Sequence, residues 1–142
     1  MLLDGVDHIA TLSHDAARLG AFYAAVFDAE IGETVPHGMH GEETMTVFRI
    51  GPHTELNVFT VPSSEEADRQ TPMWHRGRLD HFGLHAASPE AFSTIRGRLV
   101  EHGASDGTVN DFGGAYSLFF RDPDGLEGEV LLPKDGATAP PA

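Results

Sequence analysis

The chain carries one pattern twice, and a duplicated pattern restricts the fold to paired units of like architecture. Val6-Asp7-His8-Ile9-Ala10 returns as Leu79-Asp80-His81-Phe82-Gly83: an apolar residue, Asp-His, an apolar residue, then a small one. The two histidines lie 73 residues apart. Thr54-Glu55-Leu56 matches Gly128-Glu129-Val130 at an offset of 74, and Ser13/Ser88 and Ala29/Ala104 match at 75. Loop insertions produce a drift of this size. Each half thus has a His near its start and a Glu near its end, residue types that ligate divalent metals.

The order of hydrophobic patterns repeats as well. In the first half a strand over 5–12 leads to Ser13, which can cap a helix whose apolar face is Leu19, Phe22, Tyr23 and Val26. Strands follow over 30–35, 44–50 and 55–61, punctuated by Gly41 and Gly51-Pro52. In the second half a strand over 79–86 precedes Ser88-Pro89-Glu90, a strong helix start. Phe92, Ile95 and Leu99 give that helix its apolar face, and Gly103 fits its end. Strands over 108–110, 116–121 and 126–132 complete the half. Each half therefore reads βαβββ. The divisions are a first module over 1–62, a polar linker over 63–76 with an apolar island at Met73-Trp74, a second module over 77–133 and a loose tail over 134–142.

Composition excludes several classes. There is no cysteine, so disulfides and thiolate ligands are ruled out and any metal must be held by His, Asp or Glu. No apolar run approaches the length of a transmembrane helix, and the N-terminal residues do not form a signal peptide; the absence of cysteine suits the cytoplasm. A formal charge of −13 opposes binding to nucleic acid or anionic membranes and favours cationic small molecules.

Asp122-Pro123-Asp124-Gly125 is a tight turn that sets the phase of the last strand. Strand alternation then puts residues 127, 129 and 131 on one face, as it does His81, Gly83 and His85, and likewise Glu55 and Asn57. These stretches, with Phe22-Tyr23 in the first helix and Phe120-Arg121 before the turn, resemble the vicinal oxygen chelate superfamily. That superfamily includes glyoxalase I, methylmalonyl-CoA epimerase, fosfomycin and bleomycin resistance proteins, and extradiol dioxygenases. The resemblance spans residues 5–133. It implies an α+β fold in which two paired βαβββ modules form a curved eight-stranded mixed sheet, a cup with the helices outside and the metal at its base.

The resemblance assigns His8 and His81 as first-strand ligands of the two modules and Glu129 as the last-strand ligand. Glu55 takes the remaining position, although a shift in pairing would bring in His53 or Asn57 instead. A lone His or Glu in a strand is usually a solvent-facing residue; repetition of both types at matching offsets is what argues for a site. His85 faces the cup beside His81 without a repeat partner, and Tyr116 is a second candidate for contact with substrate.

One divalent ion (Zn, Ni, Fe, Mn or Co) on His₂Glu₂ leaves room for two neighbouring substrate oxygens. Lewis-acid activation of a carbonyl acidifies the adjacent C–H and stabilises an enediolate. Glu55 and Glu129 are the two carboxylates available as base. The reading is a metal-dependent lyase or isomerase acting on a small molecule as a homodimer. Extradiol dioxygenases carry a His and a Tyr shortly before the final turn, and neither is present here. With eight Arg, one Lys and a large acidic excess, the chain also lacks the cationic pocket that fosfomycin-type thiol transfer requires. The alternative is a metal-free protein that sequesters a cationic drug, as bleomycin resistance proteins do.

Overall fold

A computed structural model describes residues 2, 5–37, 42–62, 64, 75 and 78–134. The chain divides into two compact units, residues 1–69 and 70–142. Most of the expected linker, including Met73-Trp74, and nearly all of the expected tail lie outside the described residues.

The first unit runs β1 (His8–Ser13), α1 (Ala16–Phe27), β2 (Glu30–Pro36), β3 (Thr44–Gly51) and β4 (Thr54–Thr60). The second runs β5 (Phe82–His85), α2 (Pro89–Glu101), β6 (Val109–Asp111), β7 (Ala115–Arg121) and β8 (Glu127–Pro133). Both are βαβββ. The eight strands divide into two four-stranded sheets with the same topology, β1-β4-β3-β2 and β5-β8-β7-β6. In each, the first strand pairs parallel to the last and the other ladders are antiparallel. No helix among the described residues is long and apolar enough to cross a membrane.

Each helix covers one face of its sheet. In α1, Leu19, Phe22, Tyr23 and Val26 are buried, and they pack over Phe48, Leu56 and Val58 of the sheet. Burying a side chain of this size stabilises by roughly 1.5–3 kcal/mol. In α2, Phe92 and Leu99 are fully buried and Ile95 partly so.

The cap of α1 corrects the sequence expectation. Asp15, not Ser13, is the N-cap, and its carboxylate accepts from the Arg18 backbone N–H at 2.9 Å. Ser13 is buried two residues earlier, its hydroxyl accepting from the Asp15 N–H at 3.0 Å. Two residues with a capping oxygen stand two apart, and the backbone enters the helix after the second. Ser88 caps α2 as expected, accepting from the Ala91 N–H at 3.1 Å.

The turn between β7 and β8 is fastened by Asp122. Its carboxylate oxygen accepts from the backbone N–H groups of Asp124 and Leu126 at 2.9 and 3.0 Å. Gly125 supplies the left-handed conformation, φ +85°, that closes the turn. Gly128 has a different reason: a β-carbon there would collide with the buried ring of Phe120 on β7. In the first unit Leu56 opposes Phe48 in the corresponding ladder. The second unit thus presses an aromatic ring onto bare backbone, between Glu127 and Glu129.

Candidate functional site

The sheet face opposite each helix carries the site residues. In the second unit, β8 presents Glu127, Glu129 and Leu131, and β7 presents Ser117, Phe119 and Arg121. Gly83 of β5 is the Cα partner of Glu129, and His85 that of Leu131. His81 immediately precedes β5 and continues its alternation onto this face.

There His81 and Glu129 meet. The His81 Nε2 lies 3.7 Å from the Glu129 Oε2. The other ring nitrogen, Nδ1, lies 2.9 Å from the Asp80 carboxylate. A carboxylate only accepts, so Nδ1 carries the hydrogen, and in the neutral ring Nε2 then presents a lone pair. The other Glu129 oxygen accepts from the Ser117 hydroxyl at 2.5 Å, and Ser117 is fully buried while Glu129 is 8% exposed. Two lone-pair-bearing atoms thus face each other across a gap too long for a hydrogen bond. Ligands on one ion with bonds near 2.1 Å stand about 3–3.7 Å apart at ordinary angles. The His81–Glu129 separation falls at the open end of that span. Gly83 leaves the approach clear, since a β-carbon there would come within 3.9 Å of Glu129 Oε2 and 3.2 Å of Leu131. Phe119 closes one side, its ring edge-on to His81 with centroids 5.7 Å apart.

The first unit has the same Asp-His start. His8 Nδ1 lies 2.8 Å from the Asp7 carboxylate, but this pair is open to solvent. His8 and Glu55 are Cα partners across β1 and β4. Glu55 is also engaged by Arg49, whose Nε lies 3.7 Å away and whose terminal nitrogen bridges to Glu30 at 3.0 Å. Asp7, Arg49, His53, Thr54 and Glu55 help line a cavity of about 580 Å³ in this unit.

The ladders correct the repeat read from sequence. Two residues beyond each histidine, Ala10 pairs with Asn57 and Gly83 pairs with Glu129. Asn57 is therefore the match of Glu129, and Glu55 is the match of Glu127. A second ladder agrees: Arg49 pairs with Glu55, and Arg121 pairs with Glu127. The Arg121 Nε donates to Glu127 at 3.2 Å, so the Arg–Glu cross-strand contact is itself duplicated. The offset at the last strand is 72, not 74. Asn57 is the sequence alternative to Glu55, and its Oδ1 is buried without a hydrogen-bond partner.

The remaining sequence candidates divide. His85 is exposed on the Glu129 face. Tyr116 lies on the opposite face, by alternation with Ser117, and is buried with Lys134 Nζ 4.2 Å from its ring centroid. It does not line the face that carries Glu129. Among the described residues, no three His, Asp or Glu side chains form a metal-holding group; the four candidate ligands stand as one pair in each unit. Sequence reasoning missed Ser117 and Phe119. The available signal was a lone hydroxyl within the apolar run Tyr116–Phe120, on the face that Glu129 shares.

Residues 5–130 match the model of the Glyoxalase/Bleomycin resistance protein/Dioxygenase superfamily. No curated protein matches the sequence. Among solved structures, the chain is similar to a glyoxylase/bleomycin resistance protein/dioxygenase domain from Frankia sp. EAN1pec, with a TM-score of 0.77 and 18% identity, covering 93% of this chain and 99% of that one. It is also similar to the fosfomycin resistance protein FosX from Listeria monocytogenes, in complex with manganese(II) and a dihydroxypropylphosphonic acid (TM-score 0.65, 18% identity, 91% and 92% covered). A third is a lactoylglutathione lyase from Agrobacterium tumefaciens (TM-score 0.60, 21% identity, 93% and 96% covered). At these identities the likeness is one of fold.

Proposed function

This chain belongs to the Glyoxalase/Bleomycin resistance protein/Dioxygenase superfamily, and we propose that it is a divalent-metal-dependent lyase or isomerase. Its substrate is a small molecule with two neighbouring oxygens. One observation carries the reading: His81 Nε2 and Glu129 Oε2 face each other at 3.7 Å, each with its other polar atom tied away. A buried carboxylate oxygen opposed to an imidazole lone pair is an arrangement that a cation relieves.

In this reading His81 and Glu129 are the ligands of the second unit, and His8 is the histidine that the resemblance names in the first. Glu55, the fourth that the resemblance names, already has Arg49 as a partner. The bound ion supplies Lewis acidity toward the substrate oxygens. The chain's own groups do the rest. Asp80 and Ser117 fix the two second-unit ligands, Phe119 limits water on one side, and Glu129, the carboxylate beside His81, serves as the base. Glu55 is the other carboxylate considered for that role, and it is already engaged by Arg49. The vicinal diol in the FosX complex is a property of that protein, and it fits the substrate class proposed here. The working assembly in this reading is a homodimer.

Metal analysis of protein purified without added metal, followed by calorimetric titration with manganese, nickel, zinc and cobalt, tests the reading. We expect one tight site per chain and a loss of at least about tenfold in affinity in His81→Ala. Sedimentation tests the dimer, which a 15.3 kDa species at micromolar concentration would exclude. If wild-type protein takes up no divalent ion, the enzyme reading falls. A drug-sequestering protein, consistent with the charge of −13, then becomes the better account.

A further inference from the structure

We propose that Asp80 is a positioning residue, holding His81 in the tautomer whose Nε2 lone pair faces Glu129. The inference rests on the metal-holding role proposed for His81 and adds to it the group that makes the ring competent. An imidazole has two nitrogens and, when neutral, one hydrogen. A ligand must present the bare nitrogen to the ion, and the hydrogen bond made by the other nitrogen decides which one is bare. Asp80 sits directly before His81 and takes the Nδ1 hydrogen at 2.9 Å. With that hydrogen fixed, the nitrogen 3.7 Å from Glu129 cannot carry one in the neutral ring.

The pair is sheltered, with the side chains of His81 and Asp80 26% and 19% exposed. The Asp7–His8 pair has the same geometry, but Asp7 is 94% exposed. Water can take the place of an exposed acceptor at little cost, whereas a sheltered one is not readily replaced. The duplicated Asp-His motif therefore does unequal work: Asp80 sets its histidine firmly, and Asp7 does so weakly.

The test uses full-length protein with ¹⁵N-labelled histidine. Long-range ¹H–¹⁵N spectra of the metal-free form, at a pH where the rings are neutral, report the tautomer directly. Wild type should show His81 with hydrogen on Nδ1, and Asp80→Ala should move a large share of it to Nε2. Asp80→Asn keeps an acceptor oxygen and should restore most of the wild-type signature. Titration with zinc alone should then show Asp80→Ala weakened by about 10- to 100-fold, with Asp7→Ala affected less. Circular dichroism confirms that each variant is folded. A wild-type His81 found with hydrogen on Nε2, or a tautomer unchanged in folded Asp80→Ala, overturns the proposal. So does a zinc affinity in Asp7→Ala reduced as much as in Asp80→Ala. Should wild type bind no zinc, the metal reading fails by itself, and the spectra still decide whether Asp80 positions the ring.

Discussion

Replacing Ser117 with Ala removes one oxygen from the interior and changes almost nothing else in shape. The hydroxyl is fully buried and donates to Glu129 at 2.5 Å, while Glu129 is 8% exposed. Hydrogen bonds to charged groups contribute about 1.5–3 kcal/mol, and a buried acceptor left without its partner costs a similar amount. The carboxylate has only a narrow opening to water, so we expect Ser117→Ala to destabilise the metal-free protein by about 1.5–3 kcal/mol. Urea unfolding followed by far-ultraviolet circular dichroism measures this. A double-mutant cycle with Glu129→Gln isolates the pair, and coupling of about 1 kcal/mol or more is expected for groups in direct contact. Metal affinity should fall as well, because the carboxylate loses the bond that turns its second oxygen toward His81. A Ser117→Ala protein within about 0.5 kcal/mol of wild type and additive with Glu129→Gln would refute the reasoning. The hydroxyl would then be a bystander in the core.

Two further outcomes follow from the second unit. Gly128→Ala should destabilise by about 1–3 kcal/mol, because its β-carbon collides with the Phe120 ring; Phe120→Leu in the same chain should recover part of that loss in urea unfolding, and no recovery would count against the packing argument. The Asp111–Lys134 pair, joined at 2.5 Å, ties the β6–β7 hairpin to the end of β8. The Lys134 hydrogen bond, then the Gly113 N–H, holds the Asp111 carboxyl below its ordinary value, and the hydrogen bond to Asp111 pushes the Lys134 ammonium above its own. The acid's contribution is therefore present above the unfolded carboxylate value and lost as pH falls through the lowered one. The lysine's contribution is present below its unfolded value and lost as pH rises through the raised one. Carboxyl NMR titration should find Asp111 below its ordinary value in wild type and shifted back toward it in Lys134→Met; an unshifted wild-type Asp111 would contradict the pairing.

The fold was legible because two periodicities and two helix starts recur in the same order. Element positions shifted by only a few residues, mostly at ends where backbone pairing decides. Cap choice was less legible, because Ser13 and Asp15 both carry a capping oxygen and only the backbone path selects Asp15. Register was the deeper failure. In the first unit the stretch between the paired Arg49 and Glu55 is Ile50-Gly51-Pro52-His53-Thr54; in the second the stretch between the paired Arg121 and Glu127 is Asp122-Pro123-Asp124-Gly125-Leu126. These stretches are equally long but chemically unlike, whereas the triplets Thr54-Glu55-Leu56 and Gly128-Glu129-Val130 are alike and suggest a different register. The strands follow link length instead. Arg49 meets Glu55 just as Arg121 meets Glu127, and a two-residue slip keeps every side chain on the same face, so alternation alone could not expose the error.

That register has a consequence for how the duplicated halves divide the work. At one pair of matched positions both halves keep the same chemistry, Arg beside Glu across the ladder. At the adjacent pair they part: Glu129 is supported by Ser117, whereas the first unit has Met45 at the matching position and Asn57 keeps a buried oxygen without a partner. A neutral amide can leave an oxygen unpaired at a cost of about 1–3 kcal/mol, a cost that rises for a charged group. The first unit therefore could not carry Glu at position 57 without a supporting donor or a cation. Asn57→Glu should accordingly destabilise the metal-free chain in urea unfolding, and divalent metal should recover the loss if His8 and the new carboxylate act together. Destabilisation that persists with saturating metal would show that the first unit's face is not built to hold an ion at that position.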